Sequence, residues 1–499
     1  MPELSVMYSG GIENLMSKSI KANALFKTLM SIVNIVFPLL TAPYVARVLS
    51  MDGYTEYNKA VSMITWFTPF AVFGVYTYGM RTISQIKKDR EAVSRLFSQL
   101  FSFSVFTSVL VSIVYLILIL TLPSFQNYKG MYAVFTVQLL SICFATDWAN
   151  EAFESYGFIL VKTFFCRLLY VIAVFLFVRK ADNVFMYVSL SSLSLMLNNV
   201  LTFLYAKSKI KFSRFSFKEE MALAKPLFIV FLLVNSSMLY TIFDRFVLTW
   251  FGDKLLLTYY NVSQTIIMAV VNVTSSVLLV SIPRLSYLWA NDKKDEYYSL
   301  LNKSSDIFMA FHTPCCVGLA CISSEIIFYY SGMKYIAASL TFLLFSLRYY
   351  ISAFDMILAK QVLLATGNEK VLAKMYYIGG VYNVIAKTVL VFIGKLTPEL
   401  CIITTAVADL IVIAMEIICV RKFEIRFSIF SKAKIKYFIM GLLFVPVVLL
   451  IKKFIPFYGL KNITLRTALS ICSCAILYVS MLFVTKDSVV FSLVKRGSK

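Results

Sequence analysis

The sequence contains a single histidine, and its nine cysteines are scattered through apolar runs. No C-x-x-C pair occurs, so the chain lacks the cysteine and histidine clusters that hold structural zinc. With only 17 glycines, it has no glycine-rich phosphate-binding loop, and no nucleophile lies in a known catalytic motif. The sequence therefore predicts that the protein is not an enzyme, needs no metal or cofactor, and does not hydrolyse ATP itself.

Charged residues are also scarce, at 15% of the chain, whereas 60% is hydrophobic and the mean hydropathy is +0.79. A soluble protein of 499 residues cannot bury so much apolar surface, because much of its exterior must be polar. A helix needs roughly 20 apolar residues to cross a bilayer. On this basis we predict an all-α, polytopic membrane protein with about fourteen transmembrane helices.

The basic residues indicate an orientation. The formal net charge is +22. If the N-terminus is cytoplasmic, the cytoplasmic loops and tails carry 31 lysines and arginines, and the opposite loops carry 11. This bias follows the positive-inside rule and predicts that both termini are cytoplasmic. Because no basic-aromatic module is visible, we attribute the positive charge to loops beside anionic lipid rather than to nucleic-acid binding.

The chain contains an internal repeat. The Tyr57-Asn58 pair opens the second predicted span, and Tyr260-Asn261 opens the eighth, 203 residues later. Arg81 and Arg284, which close the same two spans, have the same separation. Loops of similar composition would explain shared lysines but not a shared register. The repeat predicts two pseudo-symmetric six-helix halves around a central cavity, which is a transporter architecture.

We therefore expect three segments. They are an N-terminal half at 1–215, a C-terminal half at 216–430, and two additional helices with a cytoplasmic tail at 431–499.

Several predicted spans carry polar residues at spacings of three and four, which places them on one helix face. The faces are Lys27, Ser31, Asn34, Pro38 and Thr41 in the first span, Ser237, Thr241 and Asp244 in the seventh, and Asn261, Gln264, Met268, Asn272 and Ser275 in the eighth. In hydrocarbon such a face must meet polar partners or water. Two interpretations stay open: hydrogen bonding between helices, or a water-accessible cavity between the halves, which we favour.

Ionisable side chains also fall inside predicted spans, where each costs roughly 2.5–3.5 kcal/mol at the bilayer centre on insertion scales. They are Lys27, Asp147, Arg167, Asp244, Arg245, Arg348, Asp355, Lys387, Asp409 and Glu416. Each should line a cavity, pair with an opposite charge, or reach the membrane surface. Lys27 and Arg245 lie near span ends, where the last option applies equally.

Asp244 allows three interpretations. It pairs with a base from another helix, such as Lys27 or Arg348; it binds a coupling cation or proton; or it only fixes the outer end of the seventh span. The adjacent Arg245 is a poor partner, since consecutive residues point about 100° apart on a helix.

Several segments resemble one family. They are FPLLTAPYVARVLSMDGYTEYNKA at 37–60, DWANEAFESYGF at 147–158, FLFVRKADNVFMY at 175–187, AKP at 224–226, YTIFD at 240–244, IPRLS at 282–286 and LLATGNEK at 363–370. In this order they are similar to the motifs of Wzx-type polysaccharide repeat-unit flippases of the multidrug/oligosaccharidyl-lipid/polysaccharide (MOP) exporter superfamily. One departure is Ala152, where the family usually has glycine.

The resemblance implies a function. Such flippases move an undecaprenyl-diphosphate-linked oligosaccharide from the cytoplasmic to the outer leaflet of the bacterial plasma membrane by alternating access, for O-antigen, capsule or exopolysaccharide synthesis. Membrane lipids, a polysaccharide polymerase and assembly proteins are the implied partners. The alternatives are a flippase for a peptidoglycan or teichoic-acid precursor, a cation-coupled drug exporter, and a non-transporting scaffold.

A diphosphate substrate suggests roles for the polar residues, because Lys and Arg bind phosphate and amides bind sugar hydroxyls. The expected substrate contacts are Lys27, Asn34, Arg167, Gln264, Asn272, Arg348 and Lys387. The expected coupling or gating acids are Asp147, Glu154, Asp244 and Asp355, and the expected cytoplasmic gate is Arg81 with Arg284.

The charge bias predicts a labelling pattern. Single cysteines introduced at Gly252 and Gly332 should react with a membrane-impermeant thiol reagent in intact cells, and cysteines at Lys88 and Lys293 should not. The parent chain provides the background from its nine native cysteines. Labelling at Lys88 in unbroken cells would reverse the predicted orientation.

Overall fold

The structure, a computed structural model, describes residues 26, 29–30, 32–425, 427, 429 and 431–487. These residues form helices and connecting turns, with no β-strand among them. This confirms the all-α prediction. Lys27 lies outside the described residues, so its predicted role stays a prediction.

The chain forms two compact units, Met1–Asn235 and Ser236–Lys499. The described part of the first unit contains nine α-helices and two 3₁₀ segments, at Pro123–Tyr128 and Ile142–Phe144. The helices are α1 Ile32–Val48, α2 Met51–Val72, α3 Val75–Ile86, α4 Arg90–Thr121, α5 Lys129–Ser141, α6 Asp147–Ala152, α7 Tyr156–Phe177, α8 Val184–Lys209 and α9 Phe217–Val234.

The described part of the second unit contains eleven α-helices, a 3₁₀ segment at Met333–Ala338 and a π-helical segment at Ile357–Leu364. The helices are α10 Met238–Thr241, α11 Phe243–Phe251, α12 Lys254–Ala290, α13 Lys294–Cys321, α14 Ser323–Ser331, α15 Ser339–Met356, α16 Glu369–Phe392, α17 Pro398–Lys422, α18 Lys432–Leu442, α19 Phe444–Phe454 and α20 Leu460–Val484.

Short polar side chains start several of these helices. Asp89 accepts hydrogen bonds from two backbone amides at the beginning of α4, and Asp253 does so at α12. Ser216 forms a reciprocal capping box with Glu219 at α9. Each cap satisfies amides that have no partner inside the helix.

The repeat is visible in the element pattern. Helix α2 begins at Met51 and α12 begins at Lys254, so the 203-residue offset of the sequence also relates two helix starts. In the first unit this stretch is interrupted at Phe73 and Gly74, which both have positive φ. A Cβ on Gly74 would lie 2.8 Å from the Leu227 carbonyl, so glycine is required at the break. Helix α12 continues without interruption.

Eleven helical stretches in the described part are long and apolar enough to cross a membrane, and α13 with α14 forms a twelfth, bent by 81°. The polytopic membrane fold is therefore confirmed, whereas the count of fourteen stays a prediction. The stretch 226–249, which we predict from the sequence as the seventh span, is divided among α9, α10 and α11. Helix α9 ends at Val234, and the side-chain amide of Asn235 donates to the Phe231 carbonyl at 2.9 Å. The three successive residues Asn235, Ser236 and Ser237 have short polar side chains that compete for backbone hydrogen bonds, and they interrupt the helix between α9 and α10.

The core of the first unit packs α3, α4 and α6 together with Phe97 and Trp148 at its centre, their rings 5.6 Å apart. Gly79 allows this approach, because a Cβ there would lie 2.5 Å from the Trp148 ring. We expect Gly79→Ala to lower the melting temperature of the detergent-purified protein, through an overpacking cost of about 1–3 kcal/mol.

Gly130→Ala in α5 is the matched control, since its Cβ would meet nothing nearer than Phe185 at 3.5 Å. A melting temperature for Gly79→Ala equal to that of Gly130→Ala would show that the Trp148 contact does not constrain this core.

Candidate functional site

A buried ion pair joins α11 to α16 in the second unit. The Lys387 ammonium lies 3.1 Å from Asp244 Oδ1, and the two side chains are 0% and 1% exposed. The hydroxyl of Tyr260 donates to Asp244 Oδ2 at 3.0 Å, and that of Thr405 at 2.8 Å. Asp244 thus pairs with a base from another helix, as one interpretation expected, but the base is neither Lys27 nor Arg348.

A second buried ion pair joins α15 to α17. Arg348 Nε donates to Asp409 Oδ2 at 2.9 Å, and the Ser352 hydroxyl donates to the same oxygen at 2.7 Å. Both charged side chains are nearly inaccessible, at 4% and 0% exposed. Arg348 and Lys387 were both expected to bind a diphosphate, and in this conformation each is neutralised by a carboxylate.

Helix α17 links the two pairs. Thr405 and Asp409 are four residues apart, so their side chains lie one above the other on the same helix face. Thr405 contacts the first pair and Asp409 belongs to the second. Asn383, four residues before Lys387 on α16, donates to the Leu239 carbonyl at 3.3 Å and so ties α16 to the short helix α10.

Asp355 and Glu416 form a separate acidic site. The hydroxyl of Tyr376 donates to Asp355 Oδ1 at 3.1 Å. Asp355 does not pair with Arg348, which lies two turns earlier on α15. Glu416 on α17 is fully buried, and its carboxyl group interacts with that of Asp355.

Arg245 has a different environment from the paired cations. Its Nε donates to Gln264 Oε1 at 2.7 Å, and no carboxylate of the described residues lies within ion-pairing distance. The guanidinium therefore carries a positive charge that only neutral groups contact. From the sequence we placed Arg245 near a span end and did not include it among the expected substrate contacts. Its polar stripe partner, Gln264, was the signal that could have placed it there.

Two cations on helix α7 of the first unit have different surroundings. Lys162 on α7 lies 3.1 Å from Asp147 Oδ1, and Thr202 on α8 hydrogen-bonds to the same carboxylate at 3.1 Å. Arg167 is half-buried on α7, and within the described ranges it has neither an ion pair nor a hydrogen bond. Arg167 interacts electrostatically with Tyr170, which lies one turn further along α7.

The other predicted residues lie apart from these networks. Asn34 on α1 and Asn272 on α12 are exposed, as is Arg81 on α3. Glu154 pairs with Lys87 at 3.2 Å and Arg284 with Glu296 at 3.6 Å, and all four side chains are about half exposed. The roles predicted for them stay predictions.

The sequence identified most of the charged residues inside the spans, but it did not identify the residues that bind them. Asp409 was noted as an in-span charge without a role, and Asn383 and Thr405 were not singled out. Asn383 lies four residues before Lys387 on α16, and Thr405 lies four residues before Asp409 on α17. This spacing, which places each pair on one helix face, was the available signal. Nothing in the sequence could show which helices meet.

The described helical spans, with charges buried between them, define a polytopic membrane protein. Solved structures with the same fold include the lipid II flippase MurJ in an inward closed conformation, with a TM-score of 0.71, 14% identity and coverage of 93% of this chain and 99% of that chain. An inward-facing multidrug resistance MATE family transporter of the MOP superfamily matches with a TM-score of 0.56, 10% identity and coverage of 80% and 100%.

The family model for polysaccharide biosynthesis proteins matches residues 20–289, which is more than half of the chain. The chain belongs to this family. A putative O-antigen transporter of Shigella dysenteriae is 21% identical over 379 residues, covering 74% of this chain and 93% of that protein. These findings confirm the resemblance to Wzx-type members of the MOP superfamily.

The Arg348–Asp409 pair predicts a coupling between mutations. Arg348→Met or Asp409→Leu alone leaves one uncompensated buried charge, which should destabilise the protein by about 3–5 kcal/mol. The double variant removes both charges and should be much closer to wild type. Melting temperatures of all four proteins in detergent form the thermodynamic cycle. Additive losses would show that the two side chains do not interact in the folded protein.

Proposed function

We propose that the protein translocates a polyprenyl-diphosphate-linked oligosaccharide from the cytoplasmic to the outer leaflet of a bacterial plasma membrane by alternating access, with both termini in the cytoplasm. Membership in the polysaccharide biosynthesis protein family supports this, as does similarity to a putative O-antigen transporter. The oligosaccharide then becomes available for surface polysaccharide synthesis.

The observation that carries the proposal is the pair of arginines without an acidic partner, Arg167 and Arg245. A cation inside a membrane span is costly unless it has a counter-charge or a function. Other in-span cations of the described residues, such as Arg348 and Lys387, are neutralised by acids. The counter-charge for Arg167 and Arg245 is therefore expected to come from the substrate.

A diphosphate suits these two side chains chemically. It carries about two negative charges, and a guanidinium presents five N–H donors in a planar fork that fits phosphate oxygens. Arg245 uses its Nε on Gln264, which holds the guanidinium in place and leaves its terminal nitrogens for a ligand. Unaided transfer of the diphosphate and sugars through hydrocarbon would cost far more than thermal energy.

Two other functions make different demands. A flippase for another lipid-linked cell-wall precursor would handle the same diphosphate, and the fold shared with the lipid II flippase MurJ favours it as the second candidate. A cation-coupled drug exporter would need carboxylates open to a cationic ligand. Asp244 and Asp409 are instead engaged by Lys387 and Arg348.

Flipping of a fluorescent polyprenyl-diphosphate oligosaccharide in proteoliposomes tests the proposal. We expect Arg245→Ala and Arg167→Ala each to reduce the rate at least about tenfold, which corresponds to about 1.4 kcal/mol of lost stabilisation. Arg245→Lys should retain part of the activity, because it keeps the charge but loses the planar fork.

Arg179→Ala is the control, since this arginine is exposed two residues beyond the end of α7 and its side chain donates to the Phe175 carbonyl at 3.3 Å. Wild-type rates for both alanine variants, with equal amounts of inserted protein, would remove these arginines from the substrate path. Faster transport of lipid II than of the oligosaccharide substrate by the wild-type protein would favour the second candidate.

A further inference from the structure

The ammonium of Lys387 has an unusual number of oxygen neighbours. Five oxygens from three helices surround it: Asp244 Oδ1 at 3.1 Å, Asn383 Oδ1 at 2.7 Å, the Cys401 carbonyl at 2.9 Å, Thr404 Oγ1 at 2.5 Å and Thr405 Oγ1 at 2.8 Å. The side chain itself is 0% exposed.

This shell exceeds what hydrogen bonding of a lysine requires. An ammonium has three N–H donors, so at most three of the five oxygens can receive well-directed hydrogen bonds. The remaining contacts are those of a charge surrounded by oxygen dipoles. Carbonyl, hydroxyl, amide and carboxylate oxygens are the ligands with which proteins replace the hydration shell of hard cations.

The charge of the shell identifies the class of cation. Asp244 supplies the only formal negative charge among the five oxygens, so a monovalent cation neutralises the site and a divalent one would leave a buried positive charge. The described residues also contain no group of three or more His, Cys, Asp or Glu that could hold a metal ion. A divalent metal is therefore a poor match.

We propose that the Lys387 ammonium occupies a site built for a free alkali-metal cation, and that it serves there as a covalently tethered substitute for Na⁺ or K⁺. In this chain the oxygen shell is filled permanently, so it does not bind or require either ion. Truncating Lys387 should vacate the shell and turn it into a binding site for a monovalent cation. This inference rests on the geometry of the second unit and does not depend on the proposed substrate.

The test is cation-dependent thermal stability of the detergent-purified, full-length protein. Wild-type melting temperatures should be the same in NaCl, KCl and choline chloride at equal ionic strength. Lys387→Ala should melt at a lower temperature in choline chloride and show a saturable upward shift with Na⁺ or K⁺, because a ligand that binds only the folded state stabilises it. Asp244→Asn combined with Lys387→Ala should lose this shift.

Lys162→Ala is the matched control. Lys162 is also a buried lysine paired with an aspartate, but its neighbours are one carboxylate and one hydroxyl, Asp147 and Thr202. It should be destabilised without any preference for alkali cations. A folded Lys387→Ala protein indifferent to the choice of cation would overturn the proposal. If that variant does not fold, the wild-type protein decides: a specific, saturable stabilisation by Na⁺ or K⁺ would show that Lys387 does not fill a cation site, and its absence supports the proposal.

Discussion

An ionised side chain within a bilayer needs a counter-charge or polar ligands, because hydrocarbon provides neither. This constraint organises the described part of the protein. Its buried charges form pairs between helices that are distant in sequence, such as Asp244 with Lys387, Arg348 with Asp409, and Glu325 with Arg466. Desolvation of two charges offsets much of their attraction, so such pairs add little net stability. Separating two paired helices would nevertheless leave a buried charge without its counter-charge, which is strongly unfavourable. The pairs therefore hold the helices in register.

The same constraint makes the exceptions informative. Arg167 and Arg245 are in-span cations that no carboxylate of the described residues neutralises, and Glu416 is a buried acid next to a second acid, Asp355. Stability alone does not explain them, since an apolar residue of similar size would be less costly at each position. A substrate that carries its own negative charge explains the two arginines.

The two units differ in chemistry at equivalent positions of the repeat. Asp244 and Tyr260 of the second unit correspond to Thr41 and Tyr57 of the first, each 203 residues earlier. In the first unit the Tyr187 hydroxyl donates to that of Tyr57 at 3.5 Å, and Tyr170, which hydrogen-bonds with Tyr187, interacts electrostatically with Arg167. In the second unit the corresponding tyrosine binds an aspartate that is paired with a lysine. A shared architecture thus holds a network of tyrosines in one unit and a cation with its oxygen shell in the other.

The sequence by itself determined the membrane class, the all-α fold, the family and the register of the repeat. These depend on composition and on spacing along one helix, which are local properties. It also identified which residues would be costly in a membrane, including Arg348, Lys387 and Asp244. Only the tertiary structure decided how each cost is met. The partner of a buried charge lies on another helix, so the pairing depends on which helix faces meet. Packing of the helices brings Lys387 to Asp244 and Arg348 to Asp409, and it brings no acid of the described residues to Arg245. Residue spacing along one helix does not show which faces meet.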